Sequence, residues 1–74
     1  MTNQTVQAGN IEVLSERELD VLRRMADGLK TGEIADRLFI SPNTVQAHRR
    51  NIFRKMGVSN GIGAVSKGLR EGLI

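Results

Sequence analysis

Residues 41–58 read SPNTVQAHRRNIFRKMGV. Ser41 can accept a hydrogen bond from the first turn of a helix, and Pro42 suits a first helical position, where its missing N–H costs nothing. Gly57, just past Met56, is a helix stop. Between these marks, at about 100° per residue, one helix shows two faces. Val45, Ile52 and Met56 line one side, with His48 and Phe53 at its edges. Asn43, Gln46, Ala47, Arg50 and Arg54 gather in an arc of roughly 100° on the other. Short amides, a methyl and guanidiniums can enter a DNA major groove: arginine reads guanine, glutamine or asparagine reads adenine, and a methyl packs on thymine. The stretch reads as a recognition helix. A solvated basic face on an ordinary surface helix is the plainer reading, and the upstream segments decide against it.

Upstream, Leu14-Ser15-Glu16-Arg17-Glu18-Leu19 announces a first helix. Ser15 and Glu18 have the spacing of a capping box, and Leu14 and Leu19 that of a hydrophobic staple. Leu19, Leu22, Met25 and Ala26 mark the expected buried stripe, and Gly28 ends the helix. A short second helix follows, with Thr31 as its expected cap and Ile34, Ala35 and Leu38 facing inward. Phe39 and Ile40 form the turn before Ser41. Two helices joined by so short a turn, the second amphipathic and basic outside, make a helix-turn-helix. A fourth helix is predicted from after Asn60 to about Arg70, with Ala64, Val65 and Leu69 inward and Ile62 at its start; Gly61, Gly63 and Gly68 weaken it. The fold class is therefore all-α, a four-helix bundle-like domain around a central helix-turn-helix over residues 13–74. Residues 1–12, polar and without periodicity, read as a flexible arm or linker remnant.

Composition narrows the function. The chain has 74 residues and no cysteine, which leaves no disulfide framework and no cysteine-based zinc site. No apolar run approaches the roughly 18 residues of a membrane span, and MTNQTVQAGN lacks the features of a signal peptide. A cytoplasmic setting is the default. Residues 1–36 carry four basic and seven acidic groups, whereas residues 37–74 carry seven basic groups and Glu71 alone. That asymmetry suits a polyanion partner for the second half. Phe39 and Phe53 are the only aromatics, too few for a base-stacking platform, so duplex DNA fits better than single strands. No Ser/His/Asp set or second metal ligand accompanies His48. The reading therefore carries no catalytic residue, no metal, no cofactor and no small-molecule ligand.

The string LSERELDVLRRMADGLKTGEIADRLFISPNTVQAHRRNIFRKMGV closely resembles the LuxR/FixJ/GerE-type helix-turn-helix domain. The matching elements are Leu14-Ser15, Arg17-Glu18, Gly28, Glu33-Ile34-Ala35, Leu38, Ile40-Ser41, Thr44-Val45, His48, Ile52 and Lys55-Met56-Gly57-Val58. Chain length is GerE-like, and the recognition helix is FixJ-like. The resemblance implies a four-helix DNA-binding domain in bacterial transcription regulation, as in response-regulator output domains. It also implies pairing as a homodimer through the fourth helix, on an inverted-repeat site.

Carried over by position, Gln46, Ala47 and Arg50 become base readers, in agreement with the face found from periodicity. Asn43, Thr44, His48 and Asn51, with Thr31 at the start of the second helix, become phosphate contacts. Arg49 and Arg54 join that set: the stem of Arg49 packs while its guanidinium reaches out, and Arg54 lies on the outer arc. Val65, Ser66, Leu69 and Arg70 are the expected dimer residues. Three positions depart from the pattern: Gly32 and Gly61 stand where relatives carry basic residues, and Gln46 favours adenine over guanine. The alternative function is a helix-turn-helix interaction module that contacts RNA polymerase or another regulator without reading DNA.

Overall fold

The computed structural model describes residues 13–74; the arm read at residues 1–12 lies outside the described residues. Four helices and no strand make up the described residues: α1 (Glu16–Ala26), α2 (Thr31–Leu38), α3 (Pro42–Met56) and α4 (Gly61–Arg70).

Each helix begins and ends for a local reason. The backbone N–H of Glu18 donates to Ser15 Oγ at 3.1 Å, and that of Ser15 donates to Glu18 Oε1 at 2.9 Å, so the expected capping box is formed. At the other end, Gly28 takes φ +87°, and the N–H groups of Gly28 and Leu29 donate back to the carbonyls of Met25 and Arg24. α3 opens on the Thr44 N–H donating to Ser41 Oγ at 3.1 Å, with Pro42 in its first turn and Gly57 closing it at φ 68°. α4 is capped by Asn60 Oδ1, which accepts the Gly63 N–H at 2.8 Å.

The start of α2 corrects an expectation. Thr31 is the first helical residue rather than the cap, and Lys30 precedes it in extended backbone. The reason lies three residues on, where Glu33 Oε1 accepts the Lys30 N–H at 2.7 Å. The Lys30 carbonyl in turn takes the Ile34 N–H. Lysine has no acceptor of its own, so only the glutamate half of a capping box exists here. α2 ends at Phe39, which adopts the left-handed conformation (φ 58°, ψ 42°) without being glycine. That backbone costs a non-glycine residue about 1–2 kcal/mol, and the side chain gains nothing from burial, being 94% exposed.

α3 packs against the other three helices, while α2 and α4 do not touch. The core holds Val21, Leu22, Ile34, Val45, Ile52 and Ala64 with no exposed surface. The inward sets predicted for α2 (Ile34, Ala35, Leu38) and α3 (Val45, Ile52, Met56) are the observed ones.

Two buried arcs differ from those predicted. On α1 the arc is Glu18, Val21 and Leu22, with Leu19 and Met25 half-buried and Ala26 exposed. Residues 18, 21, 22 and 25 keep the helical i, i+3, i+4, i+7 spacing, but a glutamate at its first position hides the pattern. On α4 the buried residues are Ala64 and Gly68; Val65 is half-buried, Ile62 is 84% exposed and Leu69 is 59% exposed. A Cβ at Gly68 would lie 3.1 Å from Leu22 Cδ2 and 3.3 Å from Ile74 Cγ1. This glycine, read as a weakness of the helix, is what lets α4 dock closely on α1.

Candidate nucleic-acid interface

α3 carries the candidate site on the side opposite its core residues. Gln46, Arg50, Asn43, Asn51 and Arg54 are exposed, and Ala47 is half-buried between them. Gln46 and Arg50, one turn apart, make no bond with another described residue, so amide and guanidinium keep their donors for an external partner. The Thr44 hydroxyl shares a 3.0 Å hydrogen bond with Ser41, which orders the first turn of the reading helix. Thr31 is half-buried on the first turn of α2, and His48 is half-buried at the edge of the core stripe.

Arg49 takes a different direction from its neighbours. Its guanidinium stacks over the Phe53 ring at 5.4 Å and lines a surface cleft of about 540 Å³ together with Met25, Leu29, Ile62, Val65 and Leu69. The guanidinium expected to reach outward from Arg49 instead lies over the ring, which attracts it through its negative face. Of the residues expected at a dimer seam, Ser66, Leu69 and Arg70 are exposed and Val65 half-buried. The Arg70 Nη1 donates to Ser66 Oγ at 2.9 Å. The apolar content of this face exceeds expectation, because Ile62 and Leu69 point outward.

The far end of α3 is held by charge. Lys55 Nζ donates to Glu18 Oε1 at 2.9 Å and to the Val13 carbonyl at 3.4 Å. Glu18 is only 5% exposed. Burial alone would raise its pKa, but the bonds from Lys55 and from the Ser15 backbone oppose that and hold the carboxyl below its ordinary value. Its role is to tie the N-terminus of α1 to the C-terminus of α3. The pair escaped sequence reasoning because its partners are 37 residues apart and each has a sufficient local explanation, in the capping box and the helix dipole. Among the described residues no cluster of three or more histidine, cysteine or carboxylate side chains could hold a metal. No described helix is long and apolar enough to cross a membrane.

Residues 12–67 match the family model described as "Bacterial regulatory proteins, luxR family". The chain belongs to the luxR family. Among curated luxR-family relatives, it is 47% identical over 70 residues to the transcriptional activator protein PhzR of Pseudomonas fluorescens, covering 93% of this chain and 29% of that protein. It is 43% identical over 54 residues to the fimbriae Z protein of Escherichia coli K12, covering 73% and 26%. It is 40% identical over 62 residues to the probable transcriptional regulatory protein NarL of Mycobacterium tuberculosis, covering 84% and 29%. The response regulator ChrA of a heme-sensing two-component system superposes with a TM-score of 0.82 at 36% identity, over 85% of this chain and 31% of that one. The luxR-family chain described here thus spans less than a third of the length of these relatives. Its helix-turn-helix is a DNA-binding domain of transcription regulation.

Proposed function

We propose that the domain reads duplex DNA sequence-specifically by laying α3 in the major groove, with Gln46, Ala47 and Arg50 on base edges. The observation that carries this is the exposed, unpartnered Gln46–Arg50 pair on the face of α3 opposite the core. Phosphate contacts by Asn43, Thr44, His48 and Asn51, with Thr31 at the start of α2, would supply most of the affinity and its salt dependence. Arg54 belongs to the same outer arc. Arg49 contributes to that set only after leaving the Phe53 ring, so its phosphate role is the costliest of those proposed. The setting that fits this activity is the cytoplasm, and the activity is binding rather than catalysis. Arg50→Ala is expected to weaken binding to a selected duplex by about 1–3 kcal/mol and to relax preference at one base pair, with Gln46→Ala relaxing a neighbouring one. Titration of both variants on selected and random duplexes measures this. Equal losses on the two duplexes would reduce both residues to phosphate contacts.

The same reading includes a homodimer on an inverted-repeat site, paired through α4. Its support is the outward stripe of Ile62 and Leu69 beside half-buried Val65, flanked by Ser66 and Arg70. α4 has 10 residues, hence a length of about 15 Å. So short a helix does not by itself cover the roughly 800 Å² per partner of a standard stable interface. Pairing is therefore weak in free solution and completed on DNA. Sedimentation should show monomer alone and two subunits per two-half-site duplex, and Leu69→Lys should leave one. Two subunits per duplex with Leu69→Lys would move the seam elsewhere.

RNA polymerase is a second partner in this reading. The observation favouring it is Phe39, an aromatic kept exposed on strained backbone beside the reading helix, since such strain concentrates at functional positions. Phe39→Ala is expected to lower transcription in a purified polymerase assay while leaving DNA affinity unchanged. Undiminished transcription would remove this contact.

A further inference from the structure

The last carbonyls of a helix have no partner within it, and those of α3 are met in two different ways. The Phe53 carbonyl accepts the Val58 N–H at 3.0 Å and the Arg54 carbonyl accepts the Gly57 N–H at 3.3 Å, both from the chain as it turns away. The Met56 carbonyl instead accepts Lys67 Nζ at 2.7 Å. That ammonium comes from the last turn of α4, its side chain 29% exposed, with Oε2 of Glu71, the residue that caps the helix, 4.0 Å away. A charged donor makes this a stronger bond than an amide would.

We propose that Lys67 is a positioning residue for DNA recognition, holding the C-terminal end of the recognition helix at a set distance from α4. Three observations converge on this. The Lys67 bond ties α3 to α4 across the Gly57–Asn60 connection. On the same last turn, Lys55 ties this end of α3 to α1 through Glu18 at 2.9 Å. α4 itself is seated closely on α1 at Gly68, where a Cβ would be only 3.1 Å from Leu22. The three helices therefore form a closed frame: α4 rests on α1, and each of them grips the end of α3 through one ammonium. Gln46, Ala47 and Arg50 lie six to ten residues before Met56 on α3, so a tilt permitted at that end swings those groups against the base edges. Hydrogen-bond readout tolerates such misplacement poorly, whereas phosphate attraction, being long-ranged and undirected, tolerates it well. Loss of Lys67 should therefore cost specificity more than general affinity for DNA.

The inference rests on α3 being the reading helix, and the test separates the two. The probe is a duplex selected by the wild-type chain from a random pool, compared with an unselected duplex of equal length. Lys67→Met removes the donor and one positive charge. Arg23→Met, on the exposed side of α1, removes one charge and leaves the frame intact. Lys67→Arg keeps both donor and charge. Relative to Arg23→Met, Lys67→Met is expected to bind the selected duplex about five- to tenfold more weakly, the range that loss of one hydrogen bond allows. On the unselected duplex the two should match, and Lys67→Arg should restore discrimination. Melting curves check that each variant is folded at the assay temperature; should Lys67→Met not fold, Lys67→Gln, with a shorter neutral donor, is expected to show an intermediate loss of discrimination. Discrimination by the folded variant equal to that of Arg23→Met would overturn the proposal while leaving the reading helix in place. A wild-type chain that selects no duplex at all would overturn both.

Discussion

Ile52→Ala is expected to destabilise the domain by about 2–5 kcal/mol, the largest effect of any single truncation considered. Ile52 has no exposed surface and sits on the core face of α3, the helix that packs against the other three. Deleting its side chain removes buried apolar area and leaves a void in a core of few large side chains, with little freedom to collapse around it. A domain of this size has only about 5–15 kcal/mol of stability to lose. At roughly 4–8 °C per kcal/mol for domains of 60–100 residues, thermal unfolding should shift down by about 8 °C or more. Well below that midpoint, DNA binding should persist, because Ile52 faces away from Gln46 and Arg50. An unchanged melting temperature would mean that α3 is not packed as described.

Lys55→Met is expected to cost about 3 kcal/mol at neutral pH, by leaving Glu18 a buried carboxylate without its ammonium partner. The sign of its pH dependence follows from the lowered pKa of Glu18. A carboxyl whose folded pKa is depressed contributes stability that is present above its ordinary value and lost as pH falls through the lowered one. The wild-type chain should therefore lose this contribution on acidification, while the variant has little left to lose. The gap between their melting temperatures should be widest near neutrality and close as pH drops past the ordinary glutamate value. Adding Glu18→Gln to Lys55→Met should recover part of the loss, since the amide oxygen can still accept the Ser15 N–H and carries no charge to strand. A gap independent of pH would show that Lys55 acts through packing of its stem alone.

What was legible in the residues is what depends on neighbours three or four positions away. The boxes and caps at Ser15–Glu18, Ser41–Pro42 and Asn60, and the glycine stops at 28 and 57, are bonds closed within one helical turn, so residue type and spacing suffice to read them. The outer face of α3 was legible for the same reason: a regular helix puts residues 43, 46, 47, 50 and 54 on one side whatever it packs against. Thr31 shows where even local reading slips, because two residues competed for one cap and the glutamate bond to Lys30 won.

Other features exist only once the helices meet. Glu18 is inside and Ala26 outside because α1 is enclosed by three neighbours, and Lys55, distant in the chain, is there to neutralise the carboxylate. Gly68 is inside while Ile62 and Leu69 are outside because α4 approaches α1 so closely that a Cβ would crowd Leu22 and Ile74, a distance no periodicity records. Arg49 borders the cleft against α4, and Lys67 reaches Met56, for the same reason. Their partners belong to surfaces brought together by packing, and the energy of a charge depends on what the fold places beside it.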